Sequence, residues 1–465
     1  MDACRGAVFK TFGCQMNEYD TQKVAALLHP HYASVESVED ADLVFINSCS
    51  VRGKAEHKLF SLLGTFVHAK KLNPNLVIGV GGCVAQQDGA SILKRSHVVD
   101  FVVGTHNLSL VPSLISNVRA GRGRQVAVDF RDEWEDLPLD FRPAPADVKT
   151  NILGKDQASP QVRGLVAIQR GCNKRCSFCV VPTTRGPEVS RKMDEVLREV
   201  RAKLACGARE IVLLGQTVNS YGWDLSPRVS FAELVKRVAD IAGVERIRFL
   251  SPHPCDVKDD FLALYGSVVQ LCPHIHLPLQ SGSDRILKLM NRNYRRARYL
   301  EIVDELKNRC EGISVTSDII VGFPTETEED FEETLDVVKQ AGFSSSYCFV
   351  YSPRSNTKAI ERYGSADLVP EQIARARLQR LQDLQNQLNV SYSSQFFDTS
   401  VKVLIEGVDK ESPYSARGRT PENILVEIEG TQGCQVRVGD LVAVAVSSIW
   451  PHGMRGSLAA SDANR

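Results

Sequence analysis

Between residues 162 and 390 short apolar runs alternate with helical periodicity six times, and this alternation restricts the fold more than any other feature of the chain. Strands are expected at 164–169, 210–214, 246–250, 274–278, 314–321 and 346–351, each followed by a helix. Parallel strands need a crossover, and the crossover is right-handed, so successive units stack side by side. Eight such units close a barrel; six suit an incomplete βα barrel, open on one side. A long polar helix at 371–392, with leucines at 378, 381, 384 and 388, ends the segment.

Residues 5–128 also mix strands (7–11, 43–47, 76–80, 98–103) with helices (17–28, 54–70), which predicts a three-layer α/β domain around a mostly parallel sheet. Residues 129–161 carry Asp, Glu and Pro without a sustained period and read as a linker. From 393 to 455 the period changes. Strand-like runs at 401–406, 423–429 and 441–448 are punctuated by Gly407, Gly418, Gly430, Gly433 and Gly439, the pattern of a small antiparallel β-barrel. A small polar tail, 456–465, is expected to fray. The fold class is α/β, with about three domains for 465 residues.

Lysine and arginine number 56, as do aspartate and glutamate, so no overall basic balance announces a nucleic acid. No apolar run approaches the ~20 residues of a membrane helix, and no signal peptide is visible after Met1. A cytoplasmic protein with no membrane partner is expected. Thirteen cysteines cannot all pair with one another, and in a reducing compartment clustered cysteines point to metal ligation.

Cys172, Cys176 and Cys179 fall within eight residues, directly after a predicted strand and Gly171. Strand ends of a βα barrel are where chemistry sits. Three close thiolates suit an iron–sulfur cluster with one iron left open, because soft sulfur ligands suit iron. Buried structural cysteines, or a zinc site completed by His253 or His274, are the alternatives. Cys14, Cys49 and Cys83 each follow a predicted strand of the first segment, 35 and 34 residues apart. Strand ends of a parallel sheet converge on one crevice, so these three can form a second site; three unrelated buried cysteines are the alternative. The remaining seven cysteines, Cys434 among them, share no spacing and read as structural or exposed thiols.

Further strand ends carry polar residues in apolar surroundings: Gln216 and Asn219, Ser251 and His253, Gln280 and Ser281, and Asp318. Carboxamides and hydroxyls there suit an amino acid or ribose moiety, and Phe178 and Val350 suit packing against a flat base. Such residues are also common caps of turns and helices, so their placement on successive strands is the argument.

The C-x3-C-x2-C loop, with Phe178 before its last cysteine, resembles the radical S-adenosylmethionine superfamily. Phe12-Gly13-Cys14-Gln15-Met16-Asn17, the stretch 170–191 and Leu214-Gly215-Gln216-Thr217-Val218-Asn219 resemble the methylthiotransferases within it. The resemblance spans nearly the whole chain, through a terminal barrel similar to a TRAM domain. It implies two [4Fe-4S] clusters, one on Cys172, Cys176 and Cys179 that chelates S-adenosylmethionine, the other on Cys14, Cys49 and Cys83. It implies cofactor contacts from Phe178, Gln216, Asn219, Ser251, Gln280, Asp318 and Val350, with 319–324 as the adenine-side strand, and a placing role for Arg185. Ser251-Pro252-His253-Pro254 departs mildly from the family form, and Cys255 stands where Arg is usual.

The implied activity is methylthiolation of isopentenyladenosine beside the tRNA anticodon, with two S-adenosylmethionine consumed. Implied partners are the anticodon stem-loop, an electron donor such as flavodoxin or ferredoxin, and a sulfur or iron–sulfur delivery system; a monomer is expected. Sister branches act on threonylcarbamoyladenosine of tRNA or on an aspartate of a ribosomal protein. They usually show Asp where Asn173 stands and Ile-Ile-Pro where Val180-Val181-Pro182 stands. A scaffold that kept its clusters but consumes no cofactor is a further alternative.

Local charge supplies the places for RNA. Residues 163–191 hold six Arg or Lys against one Glu, and 285–309 hold eight against three acids. Such patches can hold phosphates, although the second can equally be a solvated face. Residues 393–465 hold seven basic and nine acidic residues, so RNA contacts there must rest on few side chains, with Lys402, Arg417 and Arg419 the best placed. The turn bearing Tyr414 is a further candidate.

Overall fold

The computed structural model describes residues 4–50, 53–131, 134–135, 137–138, 162–408, 416–429 and 436–459. Most of the expected linker, Tyr414, Gly430, Gly433, Cys434 and the tail from 460 lie outside the described residues. Six parallel strands form the first sheet: β1 (Arg5–Phe12), β2 (Tyr32–Ser34), β3 (Leu43–Ser48), β4 (Val77–Gly82), β5 (Phe101–Val103) and β6 (Gln125–Ala127). Their order is β2-β1-β3-β4-β5-β6. Helices cover both faces. Val44, Ile46, Ile78 and Val80 pack against Leu59, Leu63 and Phe66 on one side, and Leu43, Phe45, Phe101 and Val103 meet Val24, Leu28, Val111 and Leu114 on the other. β3 is buried along its whole length, which is why it reads as an unbroken apolar run.

The central segment is an open barrel of two three-stranded parallel halves. β7 (Arg163–Ala167), β10 (Glu210–Leu214) and β11 (Arg246–Phe249) form one half; β12 (His274–His276), β13 (Ser314–Val321) and β14 (Ser345–Val350) form the other. A bridge between Ile247 and Leu271 joins them. A short ribbon of β8 (Gln169–Arg170) and β9 (Val189–Ser190) interrupts the first half. The outer face packs on helices through a large core that includes Val166, Ile211, Leu213 and Ile247. The inner faces of β7 and β10 are filled from the first domain: Met16 and Tyr19 of the helix Gln15–Leu28 pack on Leu165, Ala167, Val212 and Leu214.

The terminal segment is a closed five-stranded barrel: β15 (Ser400–Val408), β16 (Ala416–Arg419), β17 (Leu425–Glu429), β18 (Leu441–Trp450) and β19 (Gly453–Leu458). It is not wholly antiparallel, as the sequence suggests, because β17 and β19 run parallel. A ring with an odd number of strands cannot alternate direction all the way round, so one parallel pair is required. Arg246 and Arg248 of the central domain bind this barrel through backbone carbonyls: Arg246 Nη1 donates to Arg419 O (2.8 Å), Arg246 Nη2 to Lys402 O (3.2 Å) and Arg248 Nη2 to Thr420 O (2.9 Å). Among the described residues no helix is long and apolar enough to cross a membrane.

Candidate functional site

The first cysteine triad sits on a loop pinched at its base by the β8–β9 ribbon. Gly171, at φ +74°, permits the pinch, since a Cβ there would stand 1.9 Å from the Pro187 carbonyl oxygen. The Cys172 amide donates to Gly186 O (3.1 Å) and the Cys179 amide to Cys176 O (3.1 Å). Each sulfur has a polar neighbour: Thr217 Oγ1 lies 3.2 Å from Cys172 Sγ, Arg292 Nη1 donates to Cys176 Sγ (3.4 Å) and the Val181 amide donates to Cys179 Sγ (3.4 Å). Burial pushes the Cys179 thiol up to about 12, with Cys176 adding to the shift, and burial also raises Cys172. As free thiols they keep their protons, so a cation that replaces the proton is what makes thiolates stable here.

The second triad forms at the ends of the adjacent strands β1, β3 and β4. Cys49 hydrogen-bonds with both Cys14 and Cys83, so the three sulfurs lie within mutual reach. The hydrogen bond from Cys49 lowers Cys83 to about 5 against burial, helped by Arg185 and Thr184; the same partner lowers Cys14 to about 7. Cys49 itself is raised, because it holds the shared protons. A Cβ on Gly13 would stand 2.5 Å from Cys49 Cβ, so glycine is what lets the strand ends close in. Below the thiols, Asn17 Nδ2 donates to Asn47 Oδ1 (2.7 Å) and Asn47 Nδ2 to Asn17 O (2.9 Å), both fully buried.

Among the described residues no three His, Cys, Asp or Glu side chains gather about a point as one metal ion would require. A cubane cluster is a larger body that takes each cysteine on a different iron, and an all-thiol set with a basic partner suits it. The donor sets of both triads fit that chemistry.

Arg185 links the two sites. It ends a short helix, Val181–Arg185, that begins just after Cys179. Its guanidinium pairs with Asp20 (2.8 Å), reaches Asn17 Oδ1 (3.5 Å) and hydrogen-bonds Cys83. Burial works against its charge, but Asp20, Cys83 and Cys14 outweigh it and the guanidinium stays charged. Five helical residues rise roughly 7 Å, so the triads stand at either end of one short rod. The first domain grips that rod: Thr105 Oγ1 donates to Thr184 O (2.8 Å) and His106 Nε2 to Arg185 O (2.7 Å). Burial, and then Arg170, lowers the His106 pKa; the neutral ring accepts from the Arg131 amide at Nδ1 (3.2 Å).

The strand-end residues divide. Gln216 Oε1 and His253 Nε2 are buried with no hydrogen-bond partner among the described residues. Burial, then Arg292 and Lys174, lowers His253 to about 2; its Nδ1 accepts from the Cys255 amide (3.2 Å), which leaves Nε2–H as a free donor. Orphaned polar groups of this kind, beside the cluster loop, fit an amino acid or ribose group. Ser251 and Gln280 both sit at positive φ (59° and 73°), a strained backbone that clusters at ligand sites. Asp318 faces the lumen and accepts from His276 Nε2 (3.1 Å).

Asn219 is spent otherwise: both ends of its carboxamide hold the His253 backbone (2.9 and 2.8 Å). Phe178 packs in an apolar cluster with Ile286, Met290 and Phe323, and Val350 packs into the central core beside Cys348.

The first basic stretch is largely consumed by the fold. Arg163 pairs with Glu210 and Glu406, Arg170 donates to Arg131 O, and Lys174 pairs with Asp256. Arg185 pairs with Asp20 and Arg191 with Glu199. Only Arg175 of the six is exposed. In the second stretch Arg292 is buried and donates to Cys176 Sγ of the cluster loop, and Arg285 pairs with Asp330. Of the terminal candidates Lys402 and Arg417 are exposed, whereas Arg419 is half-buried and spent on its own barrel, donating to Asn423 O (3.0 Å) and lying 3.6 Å from Glu406.

Sequence reasoning missed Asn17, Asp20, Thr217 and Arg292 as neighbours of the thiols. Asn17 and Thr217 lie inside the motifs that carry the resemblance, which was the available signal. Asp20 and Arg292 had none, because only the fold brings them to Arg185 and Cys176.

Residues 166–338 match the radical SAM superfamily, and residues 7–104 match the uncharacterized protein family UPF0004. The tRNA-2-methylthio-N(6)-dimethylallyladenosine synthases of Geobacter metallireducens, Nocardia farcinica and Shigella boydii are each 40% identical to the chain over 97% of its length. The matches cover 97%, 88% and 91% of those proteins. Among solved structures, the radical S-adenosylmethionine methyltransferase TsrM from Kitasatospora setae has a TM-score of 0.53 at 14% identity, covering 77% of this chain and 74% of that one. The cobalamin-dependent radical enzyme OxsB has a TM-score of 0.52 at 11% identity, covering 84% and 56%. At such identities the likeness speaks for the fold alone. The full-length identity to the synthases goes further: the chain belongs to the methylthiotransferase family of radical S-adenosylmethionine enzymes, in the branch of the tRNA-2-methylthio-N(6)-dimethylallyladenosine synthases.

Proposed function

We propose that the chain is a tRNA methylthiotransferase that places a methylthio group on C2 of N6-isopentenyladenosine at position 37, beside the anticodon. Two S-adenosylmethionine molecules and a cluster-bound sulfur are consumed. The observation that carries this reading is the helix Val181–Arg185, which holds one cysteine triad at its start and touches the other at its end. When bound, two [4Fe-4S] clusters and S-adenosylmethionine supply the radical and the sulfur.

An aromatic C–H has no useful acidity, so acid–base side chains could not reach it. The chain's own work is to bind, orient and exclude water. Cys172, Cys176 and Cys179 hold the cluster that takes the cofactor, and Cys14, Cys49 and Cys83 hold the second. Gln216 Oε1 and His253 Nε2–H receive polar groups of the cofactor. Arg185 is a positioning residue, clamped by Asp20, that fixes the spacing of the two centres. In this reading residues 5–128 carry the second cluster, 162–390 the radical chemistry and 393–455 RNA contacts. The enzyme works in the cytoplasm as a monomer, fed by an electron donor such as flavodoxin or ferredoxin and by a sulfur delivery system.

The test is anaerobic reconstitution with iron and sulfide, then reaction with an isopentenylated anticodon stem-loop and S-adenosylmethionine. Mass spectrometry of the digested RNA should show a methylthio group on the isopentenyladenosine. An unmodified nucleoside beside consumed S-adenosylmethionine would refute the proposal.

A further inference from the structure

The two halves of the open barrel differ in how their lumen faces are covered. Met16 and Tyr19 cover β7 and β10; among the described residues, the lumen-facing Thr316, Asp318 and Ile320 of β13 are half-buried, and Tyr347 and Phe349 of β14 are exposed. On β14, Cys348 and Val350 pack outward against the central core, so Tyr347 and Phe349 point the opposite way, into the lumen. Tyr347 is 60% exposed and Phe349 41%. Single exposed apolar residues need no explanation, but two aromatic rings alternating along the concave face of an edge strand are a surface kept open.

The rings are held in place by their neighbours. His276 meets the Tyr347 ring edge-on, with centroids 6.0 Å apart. His276 is itself fixed by Thr316 Oγ1 (3.0 Å) and Asp318 Oδ2 (3.1 Å). The strand register places Tyr347 beside Asp318 and Phe349 beside Ile320.

Position separates this surface from the cofactor end. β14 ends at Val350, so Tyr347 lies three residues below the mouth, about 10 Å at strand rise. That brings it toward the end of the central barrel on which the terminal barrel docks through Arg246 and Arg248. Arg163 at the start of β7 is committed to Glu210 and Glu406, whereas Arg417 on the terminal barrel is exposed and carries positive charge.

We infer that Tyr347 and Phe349 form a stacking platform for unpaired bases of the RNA loop that flank the target adenosine. The loop enters through the open side of the barrel between β14 and the terminal barrel. The inference rests on the proposed RNA substrate and adds where its bases lie. A flat apolar ring with a polar edge takes any base by its face, and the exposed Arg417 is available to a phosphate. A base drawn out of its stack to reach the cluster end leaves neighbours that need new stacking partners, and the platform supplies them on the path.

The test measures affinity of the reconstituted enzyme for two RNA probes. One is a hairpin whose unpaired loop carries isopentenyladenosine; the other has the same sequence closed into a duplex. Base–aromatic stacking is worth ~1–3 kcal/mol per base, so Tyr347→Ala and Phe349→Ala should each weaken loop binding roughly tenfold. Tyr347→Trp should restore it, which mere loss of folding would not allow. Duplex binding, carried by phosphate contacts, should be weak in all variants and change less than twofold or so. Loop binding by both alanine variants equal to wild type overturns the platform while leaving the RNA reading intact. Failure of the wild-type chain to bind the loop overturns the RNA reading and the platform together.

Discussion

Gly82 offers the sharpest test of how the second triad is built. It is the last residue of β4, directly before Cys83, at φ +91° and ψ −161°, a region that L side chains avoid. The backbone strain of an alanine there is worth about 1–3 kcal/mol. Its Cβ would also stand 2.1 Å from Asn47 Oδ1 and 2.6 Å from the Ser48 carbonyl oxygen. The Asn47 carboxamide is committed to Asn17 and to Thr21 Oγ1 (3.1 Å), and breaking buried hydrogen bonds costs roughly 1–3 kcal/mol for each group left unsatisfied. Gly82→Ala should therefore cost roughly 3–6 kcal/mol in urea denaturation of the metal-free chain. Gly207 is the control: its φ is +96°, but a Cβ there meets nothing within 4 Å, so Gly207→Ala should show only the strain. After anaerobic reconstitution Gly82→Ala should also lose about half of the bound iron, and Gly207→Ala none. Equal stability losses and full iron in both variants would refute the argument.

Other changes probe the joints between domains. Glu199 is fully buried against Lys23 (2.9 Å), Arg191 and the Tyr19 hydroxyl (3.2 Å), so Glu199→Ala strands two cations and should cost about 3–5 kcal/mol by denaturation. His253 and His274 are held neutral by burial, with folded pKa values below the ordinary 6.5. The unfolded chain then binds more protons below pH 6.5, and stability should fall by about 1.4 kcal/mol per pH unit for each as pH drops from 6.5. For His253 the loss continues toward about pH 2, and His253→Gln should flatten the curve measured between pH 7 and 5.5. Arg246→Ala removes two hydrogen bonds to the terminal barrel and should expose the segment after Ser393 to limited proteolysis sooner than in wild type.

The strands of the central barrel were legible because they are buried on the outer face and follow a regular rhythm; Glu210–Leu214 and Ser314–Val321 lie where the periodicity places them. Strands β2 and β6 were not: each is three residues long and, unlike β5 within its apolar run, neither sits in a longer apolar stretch. The six cysteines were legible as strand-end residues, but their partners were not. Asp20 meets Arg185 across 165 positions of chain, a contact that only the docking of the first helix on the barrel creates. Charge counting misled for 163–191, because a count does not record burial: five of its six cations are drawn into pairs or carbonyl contacts. The difference between the two halves of the lumen was equally hidden, since Tyr347 and Phe349 alternate with Cys348 and Val350 as in any strand.

The most direct test of the account counts iron in paired variants. The reconstituted wild-type chain should bind about eight irons, ~4 for each cubane cluster. Changing Cys172, Cys176 and Cys179 to Ala, or separately Cys14, Cys49 and Cys83, should leave about four in each case, with a cubane spectrum retained. A chain that binds about four irons in wild type, and keeps them when the second set is removed, would contradict the two-centre account.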